Sequence, residues 1–178
     1  PFGLPATAMH PAWGMSETSS GVTYSHTFSL STTKADDPFV EVGSPIPGIS
    51  VRIVDAQNNV VEEGTIGSLQ IRGATVTSGY YRNPELNREA FTFDGWFKTG
   101  DLGFLREGRL TISGREKDVV IINGANYYSH EIEAVVEEAD GLVTSCTAAC
   151  AVRDGETNTD RLVVFFCPLS IEDEDLER

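Results

Sequence analysis

Residues 95–124, GWFKTGDLGFLREGRLTISGREKDVVIING, constrain what this chain can fold into more than any other stretch. They hold an isolated Thr-Gly-Asp, a turn, a short alternating strand and a Gly-Arg-Glu-Lys-Asp punctuation ahead of an apolar run. Residues 96–105 and 109–113 read as the arms of a hairpin closed by Arg106-Glu107-Gly108. In the second arm Leu110 and Ile112 face one way and Thr111 and Ser113 the other, so one face is expected to be wet or to face a ligand. An acidic residue behind a glycine brings a carboxylate close to a neutral diol, and an arginine one strand away offers a fork of donors to carboxylate or phosphate oxygens. Asp101 and Arg115 together therefore suit a ribose phosphate. The stretch reads as the floor of a nucleotide site followed by a hinge.

Upstream, residues 1–39 are rich in Ser, Thr, Gly and Pro and have little periodicity, which predicts a loop-dominated entry. Residues 49–55 and 67–73 alternate like strands, with turn residues at Asn58-Asn59 and Glu63-Gly64. Residues 88–93 read as a helical turn or as irregular. Downstream of Gly114, residues 119–122 form an apolar run, as in a strand covered on both faces. A helix capped by Ser129 follows, with Glu131 and Glu133 in its first turn, the apolar stripe Ile132, Val135, Val136 and Ala139, and Gly141 as its stop. Residues 144–152 read as a strand with Cys146, Ala148, Cys150 and Val152 on one face, and residues 162–167 as a second buried strand. Residues 170–178 look like the start of a helix. The fold class is thus α+β: a small, distorted antiparallel β-barrel or sheet, a hinge, and a small α+β C-terminal lobe. The expected domains are 1–116 and 117–178.

A net charge of −14 repels phosphate backbones over most of the surface, which argues against nucleic acid while leaving room for one phosphate ligand in a local positive field. No apolar run is long enough to span a bilayer. The chain opens on Pro1 with neither an initiator methionine nor a charged-then-apolar leader. Three cysteines, Cys146, Cys150 and Cys167, match no metal spacing and fit reduced core thiols in a cytoplasmic protein.

Five blocks, in order, carry a resemblance: WGMSETSS (13–20), VGSPIPG (42–48), GSLQIRGATVTSGYYRNPE (67–85), GWFKTGDLG (95–103) and GRLTISGREKDVVIINGANYYSHEIE (108–133). They resemble the acyl-adenylate-forming, AMP-binding ligases: acyl-CoA synthetases, luciferases, fatty acyl-AMP ligases and the adenylation domains of nonribosomal peptide and polyketide synthases. The TGDLGFL and KDVVIINGANYYSHEIE runs look closest to the fatty acyl-AMP ligase-like loading and adenylation domains of polyketide and peptide assembly lines. The resemblance implies a longer parent protein, because family members carry a large N-terminal lobe with a phosphate loop and a later Gly-Lys lysine, neither of which is in this sequence. Residues 1–116 then correspond to the end of the large lobe and 117–178 to an incomplete C-terminal lobe.

The reaction the resemblance implies has two halves. A carboxylic acid attacks the α-phosphate of ATP to give acyl-AMP, and a phosphopantetheine thiol, on an acyl or peptidyl carrier protein or on CoA, then takes the acyl group. By position, Glu17 matches the Mg2+ carboxylate, beside the Ser16 and Thr18 hydroxyls, and a single carboxylate suits Mg2+ because phosphate and water complete its shell. Trp13, next to Gly14, matches an aromatic that stacks on adenine, with a core aromatic as the alternative. Ala12, Ser20 and Gly21 match the acyl pocket, and Asp101 the acceptor of the ribose hydroxyls. Arg115 matches a second ribose-phosphate contact and Ile112 a neighbour of the adenine, although a strand core explains Ile112 equally well. Lys117 matches the hinge and reads equally as a solvated lysine. Gly124 matches the loop that meets the thiol arm, or is a plain turn glycine. His26 and His130 take no role. Tryptophan replaces the usual tyrosine or phenylalanine before Gly14, and Asn126-Tyr127-Tyr128 departs from the Arg-x-Val/Ile of acyl-CoA synthetases, which leans toward a carrier-protein thiol. The alternatives are a segment of an acyl-CoA synthetase, or a module that binds nucleotide or a carrier protein without catalysis.

Overall fold

The alternating residues of the two upstream strands pair at one edge of a seven-stranded antiparallel sheet. The computed structural model describes residues 3–5, 8–29, 39–122, 125–153 and 160–169. The chain divides into two compact units, Pro1–Glu116 and Lys117–Arg178. Among the described residues the first contains β1 (Ala12–Met15), β2 (Ser20–Tyr24), β3 (Glu41–Pro45), β4 (Ile49–Val54), β5 (Gly67–Gly73), β6 (Phe97–Arg106), β7 (Arg109–Arg115) and the helix α1 (Pro84–Ala90). The strands lie in the order β1-β2-β3-β7-β6-β5-β4, so the sheet is open, not closed into a barrel.

Period-two side-chain alternation builds the core. Leu69 and Ile71 of β5, Ile53 of β4, Phe97 of β6 and Leu110 of β7 form one buried cluster. Gln70, between Leu69 and Ile71, is also buried, and its amide is satisfied: Arg52 Nε donates to Oε1 at 2.9 Å and Nε2 donates to Asn58 Oδ1 at 2.7 Å. Along β6, Phe97, Thr99, Asp101 and Gly103 are the buried set, while Lys98 is exposed. The expectation that one face of β7 is wet or faces a ligand is corrected as to the first: Thr111 and Ser113 are buried as well as Leu110, so neither face is open to water along these residues. Strand β3 pairs with β7 at Glu41↔Thr111 and Gly43↔Leu110. Gly43 must be glycine for this, with φ 87° and the backbone of Tyr24 and Ser25 where a Cβ would stand.

The loop-dominated entry is also corrected, since β1 and β2 form a tight hairpin around a 3₁₀ turn at Ser16–Thr18. The buried Thr18 hydroxyl holds that turn, 2.8 Å from the Met15 carbonyl and 2.7 Å from the Ser20 carbonyl, and Ser19 sits at φ 66°. Side-chain-to-backbone bonding of this kind leaves no periodic trace in a sequence. Helix α1 begins four residues before the turn expected there. Asn83 Oδ1 accepts from Leu86 N–H at 3.1 Å and Pro84 opens the helix, a cap-plus-proline start. Asn83→Ala is expected to destabilise the protein by about 1 kcal/mol; an unchanged urea midpoint would remove that assignment.

The second unit holds β8 (Val119–Ile122), β9 (Ala125–Tyr128), α2 (Ser129–Glu137), β10 (Leu142–Arg153) and β11 (Asp160–Pro168). Strands β8 and β9 form one two-stranded sheet and β10 and β11 another. Five expectations change here, one of them in β11, where Leu162, Phe165, Phe166 and Cys167 are exposed and the buried strand expected at 162–167 is not found. Val120 is buried but Ile121 is exposed, so β8 is covered on one face only. Ser129 is not the cap: its hydroxyl donates to the Asp118 carbonyl at 2.6 Å, and Tyr128 is the N-cap residue. Helix α2 ends at Glu137, before Gly141, and Val135 of the expected apolar stripe is exposed. In β10 the buried residue is Ala149, so the cysteine-bearing face is the outer one. Cys146 and Cys167 are exposed, Cys150 is half-buried, and all three are free thiols. A register shift lies between Leu142 and Thr147, with Ser145 at φ 62°. The helix expected at 170–178 lies outside the described residues. Among the described residues no helix is long and apolar enough to cross a membrane.

Candidate nucleotide site

Thr99-Gly100-Asp101 is a bulge, and its three residue types each have a mechanical part in it. Strand β5 pairs Ser68 with Leu102 and Gln70 with Lys98, so Leu69 alone opposes three residues of β6. Gly100 makes the excursion possible at φ 77°. The Thr99 hydroxyl replaces the interrupted ladder, donating to the Leu69 carbonyl at 3.0 Å and accepting from Asp101 N–H at 3.0 Å. That hydroxyl fixes the backbone of Asp101. Thr99 is a positioning residue the sequence reading missed, although threonine before Gly-Asp in a strand was a legible signal for it.

Asp101 is buried, and two protein donors hold its carboxylate. Arg115 Nε donates to Oδ1 at 2.9 Å, and Asp101 and Arg115 are register partners across β6 and β7. Trp13 Nε1 donates to Oδ2 at 3.1 Å from β1, 88 residues away in sequence. An ionised carboxylate accepts about four hydrogen bonds, so two acceptor positions remain for a diol. The Arg115 side chain is 61% exposed, so one end of the pair meets solvent. Trp13 is half-buried and packs against the core cluster besides donating to Asp101. Ile112 also packs there.

Beside Trp13, the β1–β2 hairpin lines an open cavity of about 510 Å³. Ala12, Gly14, Ser16, Ser20 and Gly21 all face it, together with Tyr24. Gly14 and Gly21 are register partners, and the close approach of β1 and β2 leaves no room for a Cβ on Gly14. The Tyr24 phenol lies where a Cβ on Gly21 would stand. A side chain there would have to displace it.

Glu17 lies in the 3₁₀ turn, half-buried, with Oε1 accepting from the Tyr80 hydroxyl at 2.7 Å. That bond, with burial and the charge of Glu17, holds the Tyr80 phenol above its ordinary pKa, so it remains a proton donor at neutral pH. The Thr18 hydroxyl is engaged inside the turn, so the expected pair of hydroxyls beside Glu17 reduces to the exposed Ser16. Among the described residues no cluster of three or more His, Cys, Asp or Glu could hold a metal ion by itself. A cation here would need ligands beyond the protein, and Mg2+ on a nucleotide, which keeps phosphate and water ligands, has that character.

The structure thus brings Trp13, Asp101 and Arg115 into one hydrogen-bonded group and sets the small residues of β1 and β2 around the adjoining cavity. Lys117 is exposed in a 3₁₀ turn at Glu116–Asp118 and is the first residue of the second unit. Gly124 lies outside the described residues.

Comparison with known proteins adds four findings. Residues 2–81 match the family described as AMP-binding enzyme. The nonribosomal peptide synthetase pngA of Aspergillus terreus (strain NIH 2624 / FGSC A1156) is 40% identical over 171 residues, which cover 93% of this chain and 18% of that protein. Among solved structures, the McyG A-PCP complexed with phenylalanyl-adenylate matches at 50% identity and a TM-score of 0.82, over 96% of this chain and 27% of that one. The adenylation, ketoreductase and pseudo-Asub structure of a keto acid-selecting NRPS module matches at 46% and 0.77, over 94% and 16%. The chain therefore spans under a third of the length of each of these relatives.

Proposed function

This chain belongs to the AMP-binding enzyme family, and we propose that it forms part of an adenylation domain that converts a carboxylic acid and ATP into an acyl-adenylate and pyrophosphate, then passes the acyl group to a carrier-protein thiol. The observation that carries this reading is the Asp101 carboxylate, held between Trp13 and Arg115 with acceptor capacity left for a ribose diol. In the first half-reaction negative charge gathers on phosphoryl oxygens, so the protein's part is mostly positioning and placement of positive charge. Asp101 holds the sugar, and Arg115 keeps that carboxylate oriented while presenting positive charge on its exposed side. Trp13 supplies an aromatic surface toward the adenine, with Ile112 nearby. Mg2+, when bound, neutralises phosphate charge, and Glu17 is the side chain that holds it.

Ala12, Ser20 and Gly21 are read as the wall of the acyl pocket, their small side chains leaving space for the acid. Two of the matched structures concern a phenylalanyl-adenylate and a keto acid-selecting module, which favours an amino or keto acid over a long-chain fatty acid. The fatty acyl-AMP ligase affinity expected from the TGDLGFL run gives way to that reading. A carrier protein is favoured over CoA as acceptor because one matched structure is an A-PCP pair and the curated relative is a peptide synthetase. Lys117 is proposed as the hinge residue and Gly124 as part of the loop that meets the pantetheine arm. Three free thiols fit a reducing, cytoplasmic setting.

ATP–pyrophosphate exchange tests the proposal. The full-length protein is expected to exchange label only when a carboxylic acid is supplied, with aromatic 2-keto and amino acids as the first panel. The 178-residue segment alone, at 18% of its relative's length, is expected to give none. Acid-independent binding of ATP without exchange in the full protein would instead favour a non-catalytic nucleotide-binding module.

A further inference from the structure

Tyr80 sits in the segment leading into α1 and reaches 63 residues back along the sequence to Glu17, its hydroxyl donating to Oε1 at 2.7 Å. A second bond ties the same two segments together, from Thr77 N–H to the Glu17 carbonyl at 2.7 Å. Tyr80 is in turn clamped by Asn87 of α1. Its N–H donates to Asn87 Oδ1 at 2.7 Å, and Asn87 Nδ2 donates to its carbonyl at 3.0 Å. Gly79 permits this approach, since a Cβ on it would stand 2.9 Å from Asn87 Oδ1 and its φ is 143°. Among the described residues the other oxygen of Glu17, Oε2, has no hydrogen-bond partner.

We propose that Tyr80 is a positioning residue for Glu17: the phenol anchors Oε1 and leaves Oε2 as the oxygen offered to a divalent cation on the nucleotide phosphates. The inference rests on the reading of Glu17 as the cation's carboxylate. A glutamate at a half-exposed turn loses side-chain freedom when it takes up a cation, and an anchor already set by α1 lowers that entropic cost. Outer-shell partners of metal-binding carboxylates commonly change metal affinity by about 10–100-fold when removed.

The test is a Mn2+ titration of the ATP-bound full-length protein, followed by electron paramagnetic resonance, with Tyr80→Phe, Glu17→Gln and the double variant. Tyr80→Phe is expected to weaken Mn2+ by about tenfold and leave metal-free ATP affinity within about twofold of the parent. In the Glu17→Gln background the same change is expected to have no further effect, because the hydroxyl then has no carboxylate to orient; a merely structural tyrosine would weaken binding in both backgrounds. If Glu17→Gln weakens Mn2+ and Tyr80→Phe does not, the role given to Tyr80 is overturned while Glu17 keeps its own. If neither variant changes the affinity, the reading of Glu17 fails and takes this inference with it. Should Tyr80→Phe fail to fold, Asn87→Ala, which loosens the clamp on Tyr80 and leaves Glu17 intact, carries the same expectation and the same refutation.

Discussion

Asp101→Ala in the full-length protein is expected to lower kcat/KM for ATP by about 100-fold or more in the exchange assay, since two hydrogen bonds to a charged acceptor contribute about 1.5–3 kcal/mol each. Most of the loss should fall on KM for ATP, with KM for the acid nearly unchanged, because the carboxylate is assigned to the sugar and not to the acyl pocket. The structure adds a second consequence. The same carboxylate accepts from Trp13 Nε1 and Arg115 Nε, so alanine also releases the two groups that line the nucleotide side of the site. Asp101→Asn separates these effects: it keeps one acceptor oxygen for Trp13 but removes the charge that pairs with Arg115. The asparagine variant is expected to bind ATP more tightly than the alanine variant and less tightly than the parent. An ATP KM within about twofold of the parent for Asp101→Ala would contradict the sugar-binding role, since even one charged hydrogen bond is worth about tenfold.

Lys117→Pro is expected to divide the two half-reactions. Exchange of pyrophosphate should persist, while transfer of the acyl group to carrier protein falls to background. Lys117 is exposed and starts the second unit, so its side chain gives no packing reason for a large effect. The backbone does. A rotation of one lobe absorbed at a single residue needs free φ and ψ there, whereas proline fixes φ near −65° and also restricts the residue before it, Glu116. A conformation that proline cannot adopt is penalised by about 3 kcal/mol in a helix interior, and a penalty of that order corresponds to roughly a hundredfold loss of the rotated state. Lys117→Ala, which changes the side chain alone, serves as the control and should load carrier protein normally. Unimpaired loading by the proline variant would remove the hinge from Lys117.

How far these features were legible in the sequence follows from the range of the interactions that make them. Strands β4 and β5 and the β6–β7 hairpin were readable because side-chain alternation and turn residues are local, and the pairing of Asp101 with Arg115 follows once that hairpin is set. The start of α1 was also encoded, in Asn83-Pro84, and was missed by giving periodicity more weight than capping. The faces of β7, β8 and β10 were not legible. Which side of a strand is buried depends on what packs against its faces, and Thr111 and Ser113 are buried on the side of β7 that alternation alone left open.

What the sequence determined by itself was the set of local devices: alternating strands, the turns between them, and a Thr-Gly-Asp whose residue types suit a bulge. What only the tertiary structure decided was which of those devices meet. Trp13 reaches Asp101 across 88 residues and Tyr80 reaches Glu17 across 63. Hydrogen bonds between segments that far apart depend on how the strands order in the sheet and how loops return over it, and neither leaves a period or a spacing along the chain for a reader to find.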